Sequence, residues 1–172
     1  MSLLKIIKER RSVRRYKPDA VPEDVILRIL EAARFSPSGK NLQPWKFILV
    51  KDQILKEKLA EASGGQAFIA EAPIVVVACG FPDACYSRMG NYMKSWPVDV
   101  AIGVEHLVLQ AQEEGLGTCW IGAFEERDVK SILSIPEDVK VLALTPLGYP
   151  DEIPSFRGRK KLEDIVSYDG FD

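Results

Sequence analysis

Arg10-Arg11-Ser12-Val13-Arg14-Arg15-Tyr16 puts four guanidinium groups and a serine hydroxyl within seven residues. Its place in the chain decides the fold class. Before it, Ser2 can cap a helix through about Arg10, with Leu3, Leu4, Ile6 and Ile7 on one face. After it, Pro18 stops helical structure, and Pro22 is placed at the first turn of a second helix. There Val25, Ile26, Ile29, Leu30 and Ala33 recur at helical spacing. Two helices therefore precede the first strand. A strict βαβ rhythm is broken at the outset, and an α+β or mixed-sheet fold fits better than a doubly wound one.

The remainder of the chain alternates helix with strand. Phe35 to Pro44 reads as an irregular loop, and Trp45–Val50 as a strand. A helix over Gln53–Ala62 is broken at Gly64-Gly65, and a short helical piece runs from Gln66 to Glu71. Ile74–Cys79 is apolar and mostly β-branched, as in a strand covered on both faces. Phe81–Trp96 has no clean period. Pro97 can open a helix to about Glu114 that is apolar over most of its girth, which suits a core or an interface. Thr118–Ile121 is a strand, Glu126–Leu133 a helix, Val139–Leu147 the last core strand, and Leu162–Val166 a short helix.

At 172 residues, with a net charge of −2 and ordinary apolar and charged fractions, the chain reads as one globular domain spanning 1–172. Whole-molecule attraction to nucleic acid is not expected, and no apolar run reaches membrane-spanning length. Three widely spaced cysteines and the lone His106 have no metal-ligand spacing. Cys79 and Cys119 lie in apolar runs, as small buried hydrophobes of a reducing compartment do. Met1 leads directly into an amphipathic segment, so no signal peptide is expected and the cytoplasm is the default location.

Hydrolytic chemistry finds no support. His106 lies mid-helix among apolar residues, no Gly-x-Ser-x-Gly elbow occurs, and Cys119 has no second histidine to activate it. Gly-Leu-Gly-Thr at 115–118 follows a helix and precedes a strand, the reverse of the order a dinucleotide site requires. The loop 36–45 is either a plain turn or a site for a flat ligand, with Gly39 permitting close approach and Ser38, Asn41 and Gln43 offering polar groups. Arginines 10–15 are either a solvated helix end or a phosphate grip. A second basic group, at Arg157, Arg159, Lys160 and Lys161, could form the other half of a clamp. One bound phosphate is more economical than a nucleic acid, because acidic residues surround the patch on most other segments.

Taken together, these segments resemble the FMN-dependent nitroreductase family. The matching stretches are 10–16, Ser-Pro-Ser-Gly-Lys-Asn-Leu-Gln-Pro-Trp at 36–45, Glu-Ala-Pro-Ile-Val-Val-Val at 71–77, Gly-Leu-Gly-Thr-Cys-Trp-Ile-Gly at 115–122, and Leu-Gly-Tyr-Pro at 147–150 with Arg-Gly-Arg at 157–159. They occur in the family's order and cover nearly the whole chain. The resemblance implies an α+β fold with a mixed, mainly antiparallel sheet sandwiched by helices. It also implies an intertwined homodimer with FMN at the interface.

By the family pattern, Arg10, Ser12 and Arg159 hold the FMN phosphate, with Arg157 close by. Arg14 lies toward the phosphate-to-pyrimidine side of the flavin. Arg11 belongs to the same cofactor motif, although neither it nor Arg15 needs to touch the flavin. Pro37, Ser38, Gly39 and Asn41 come from the partner chain and line the ring. Ile121 and Gly122 pass beneath it near N5, and Gln66 matches a residue at the pyrimidine edge. The implied activity is reduction of nitroaromatics, quinones or a similar small-molecule acceptor, with NAD(P)H as electron donor in a ping-pong cycle. Hydride chemistry belongs to the cofactor, so no catalytic side chain is required. A specialised relative, such as a reductive dehalogenase or a flavin-fragmenting enzyme, is an alternative, as is a non-catalytic flavin-binding module. The chain is shorter than many family members between Gly80 and Pro97. There Tyr86, Met89, Tyr92 and Trp96 form either an abbreviated substrate lid or packing against the partner.

Overall fold

The computed structural model describes residues 2–171. Its elements run α1 (Leu3–Glu9), α2 (Glu23–Arg34), β1 (Trp45–Val50), α3 (Gln53–Ala62), α4 (Phe68–Glu71), β2 (Ile74–Gly80), α5 (Trp96–Glu113), β3 (Gly117–Thr118), α6 (Glu126–Leu133) and β4 (Lys140–Gly148), with short 3-10 turns at Gly39–Asn41 and Leu162–Asp164. The strands form one sheet in the order β1-β2-β4-β3, each neighbouring pair antiparallel. The parallel component is a single bridge between Ser12 and Thr118.

β2 shows why the sheet needs helices on both sides. Successive side chains of a strand point to opposite faces, and every residue of β2 is buried. Val75, Val77 and Cys79 join Leu59 of α3, Ile69 of α4 and Val129 of α6 in one core. Ile74, Val76 and Ala78 join Ile26, Ile29 and Ala33 of α2, and Val100, Val104 and Leu107 of α5, in the other. The result is a three-layer α+β sandwich. No helix among the described residues is long and apolar enough to cross a membrane.

Three expected elements differ from what is observed. The strand expected over Thr118–Ile121 stops at Thr118, although Ile121 still exchanges two backbone hydrogen bonds with Leu144, at 2.9 and 3.1 Å. In an antiparallel ladder the next such pair along would be Cys119 opposite residue 146, and Pro146 has no N–H to donate. The missing donor faces β3 and not β2, which is how a proline fits into an interior strand. The helical piece expected from Gln66 begins at Phe68, and the one expected over Leu162–Val166 is the single 3-10 turn. On α1, Ser2 accepts from the Lys5 N–H as expected, yet only Ile6 is buried; Leu3, Leu4 and Ile7 face out.

Candidate functional site

The stretch 10–16 lies along the end of the sheet, tied down at alternate points. The Val13 N–H donates to the Thr118 carbonyl at 2.9 Å, the Lys17 N–H to Tyr149 at 2.9 Å, and the Asp151 N–H to Arg15 at 2.9 Å. Tyr16 is buried, and its hydroxyl donates to the Val13 carbonyl at 2.8 Å. Burial pushes its phenol far above the usual range. Gly117 permits the close approach: a Cβ there would meet the Val13 side chain at 2.7 Å. Val13 and Tyr16 thus anchor the segment, and the arginines between and before them turn outward.

Those arginines meet the tail. Arg10, Arg11, Ser12 and Arg14 line a pocket of about 150 Å³ together with Pro154, Ser155, Phe156, Arg157 and Arg159. No carboxylate is among its lining residues. The Phe156 ring carries Arg11 at 5.0 Å and Arg159 at 5.5 Å from its centroid, so cation–π contacts hold the two basic groups together. Arg11 also donates to the Lys8 carbonyl at 2.7 Å and the Arg10 carbonyl at 2.9 Å, closing the end of α1. Arg14 lies over Phe68, 5.9 Å from the ring centroid. Arg15 points elsewhere, toward Glu71 at 3.9 Å. Cys119 lies behind the cluster: burial pushes its thiol up, while Arg14, a hydrogen bond with Ser12, and Arg10 act in the opposite sense.

The loop 36–45 contributes nothing to this pocket. Its Lys40, Asn41 and Gln43 have φ of 53°, 57° and 50°, three left-handed positions interrupted by right-handed Leu42, and they fold the loop back on itself. The Ser38 hydroxyl accepts from the Gln43 N–H at 2.9 Å. The Gly39 N–H donates to the carboxylate of Asp99, buried in the first turn of α5, at 3.0 Å. Glycine is required at 39 by this chain's own packing, since a Cβ would meet Tyr86 Cβ at 2.8 Å. Pro37 and Asn41 lie on the same loop, with Asn41 exposed.

Ile121 is buried beneath the sheet end, whereas the next residue, Gly122, is exposed and lines an open hollow with Ser63 and Gly64. The Gln66 side-chain amide donates to the Ser63 carbonyl at 2.8 Å, which brings it to the same turn. The segment 81–95 has no helix or strand of its own. Met89 and Met93 close a small turn through hydrogen bonds of 3.0 and 3.2 Å, and Tyr92 stands almost free in solvent. Trp96 packs over Gly80, where a Cβ would collide with its ring. Of the four expected lid residues, Tyr86, Met89 and Tyr92 therefore belong to the irregular segment, and Trp96 begins the helix.

Two residues that motif spacing does not reveal organise these parts. Phe156 joins the basic groups; an aromatic directly before Arg157 was the available signal. Asp99 holds the loop, and the signal was a carboxylate near the start of a helix whose buried face is otherwise apolar.

Comparison with known proteins agrees with this architecture. The nitroreductase family model matches residues 7–81 and 64–149. A Thermus thermophilus protein named NADH dehydrogenase is 34% identical over 187 residues, covering 92% of this chain and 91% of its own. The Bacillus subtilis protein named FMN reductase, NAD(P)H, is 29% identical, covering 95% of this chain and 72% of its own. The crystal structure of a nitroreductase family protein from Clostridium difficile superposes with a TM-score of 0.90 at 28% identity, covering 99% of this chain and 100% of that one. With its fold, its motif order and nearly its whole length shared, the chain belongs to the nitroreductase family.

Proposed function

We propose that this chain is an FMN-dependent NAD(P)H oxidoreductase that reduces nitroaromatics, quinones or a similar electron-poor acceptor. It works as a homodimer with the flavin between two chains. One observation carries the proposal: Arg10, Ser12, Arg157 and Arg159, distant in sequence, line one pocket free of carboxylates. Guanidinium groups grip a phosphate monoester bidentately, so the donor set fits the FMN phosphate. When bound, FMN supplies hydride transfer at N5, so NAD(P)H and the acceptor use one pocket in turn, a ping-pong cycle.

The chain's own groups bind and orient. Arg10, Ser12 and Arg159 hold the phosphate with Arg157 beside them, and Arg11 braces the clamp through Phe156. Arg14 sets a positive field toward the pyrimidine side, which favours electron uptake. Gln66, Ile121 and Gly122 address the ring from the same chain, and Pro37, Ser38, Gly39 and Asn41 address it from the second. Support for two chains comes from the large apolar side chains left open: Leu3 (63% exposed), Leu4 (59%), Phe35 (70%) and Trp120 (42%).

Purified protein tests the proposal. The expected result is a yellow dimer that NAD(P)H bleaches without oxygen and that a quinone or nitroaromatic restores. Arg10→Ala or Arg159→Ala should weaken FMN by roughly 1.5–3 kcal/mol and riboflavin much less. Colourless protein that takes up no FMN on titration would sink the reading, and equal losses for the two flavins would remove the phosphate clamp from it.

A further inference from the structure

Asp99 is only 4% exposed and sits in the first turn of an 18-residue helix whose buried face is otherwise apolar. Both its oxygens are engaged. Oδ1 accepts from the Gly39 N–H at 3.0 Å, and Oδ2 from the Ser95 hydroxyl at 2.6 Å. The Ser95 Oγ in turn accepts from the Tyr86 N–H at 3.1 Å, while the Ser95 N–H donates to the Tyr86 carbonyl at 2.8 Å. Lys40 stacks over the Tyr86 ring, 5.1 Å from its centroid. One buried carboxylate thus bonds to the loop 36–45 on one side and, through one serine, to the segment 81–95 on the other. A buried charge is retained only when its acceptor sites are filled, so the two segments are held in a fixed relation by the cost of leaving Asp99 unpaired.

We propose that Asp99 is a positioning residue that presents the flavin loop and the acceptor-side segment 81–95 as one unit, with Ser95 as the connecting link. The proposal rests on the FMN oxidoreductase reading above. Asp99 touches neither flavin nor acceptor; it acts through the Gly39 amide beside Ser38 and through the backbone of Tyr86.

The test uses the intact dimer, with FMN and riboflavin titrated into deflavinated protein and steady-state kinetics measured on 1,4-benzoquinone. Asp99→Ala is expected to weaken FMN and riboflavin by the same factor, about tenfold, because the loop addresses the ring and not the phosphate. Ser95→Ala is expected to leave flavin affinity within about twofold and to raise the quinone KM severalfold, with kcat little changed. Asp99→Asn keeps one acceptor for the two donors and should fall between them. Loss of fold alone would lower the number of flavin sites, not their affinity. Wild-type flavin affinity in Asp99→Ala, a loss confined to FMN, or an unchanged KM in Ser95→Ala would each overturn the proposal. Should Asp99→Ala fail to fold, wild-type values for both Asp99→Asn and Ser95→Ala would overturn it. Wild-type protein that binds neither flavin overturns the functional reading and this proposal together, which separates the two failures.

Discussion

Phe156 contacts two guanidiniums, Arg11 and Arg159, and each contact is worth roughly 0.5–1 kcal/mol at an exposed site. Phe156→Ala should therefore cost about 1 kcal/mol of FMN affinity, measured by titration, while Phe156→Tyr should cost little. If the two variants bind alike, stacking is not what joins the basic groups. Cys79 offers a separate measurement. Burial pushes its thiol up to about 11, whereas in the unfolded chain it ionises near 8.5. Between those values the unfolded state loses its proton first, so the thiol's contribution is complete below pH 8.5 and is lost as pH rises through 11. The loss is roughly 3 kcal/mol. Denaturant unfolding at pH 7.5 and pH 10.5 should show a smaller drop for Cys79→Ala than for the native chain. At this scale the sequence was legible where chemistry clusters: the two basic groups stood out by residue type, and the family resemblance singled out Arg10, Ser12, Arg157 and Arg159 within and beside them. Phe156 and Asp99 could not, because an isolated aromatic or carboxylate gains its role only from what the fold brings to it.

Among the elements, the contact between the arginine stretch and β3 is a tight joint. Gly117→Ala should push Val13 away and cost about 1–3 kcal/mol of stability, with weaker FMN binding alongside. Val13→Ala removes the two methyls at 2.7 and 3.0 Å but keeps the Cβ at 2.9 Å, so the double variant should be less damaged than the sum of the singles in a double-mutant cycle without recovering fully. Strict additivity would show that the two side chains do not compete for that space. Helices with a clear period, such as α2 and α6, and the unbroken apolar run of β2 follow from their patterns. The end of β3 does not, because the interruption arises from Pro146 on another strand. Likewise, α1 has a regular apolar face, but periodicity does not say whether the same chain covers it.

At the scale of the whole molecule, that uncovered face predicts assembly. Replacing Leu4 and Ile7 with glutamate should shift the protein to monomer in sedimentation velocity and strip its flavin, with little change in secondary structure. A flavin-loaded dimer surviving both substitutions would place the interface elsewhere. The body of the molecule owes nothing to the tail for its core: from Asp151 to Phe171 no residue is buried. Yet this segment supplies Arg157 and Arg159 to the pocket. The tail thus serves the pocket and not the core. A protease would find the flavin-free tail an open substrate and the flavin-bound tail a guarded one. Digestion with trypsin should accordingly nick the tail fastest in deflavinated protein, leave the body intact, and yield a stable product whose preference for FMN over riboflavin is much reduced. The supply of cofactor would then govern how long each molecule remains competent to bind it.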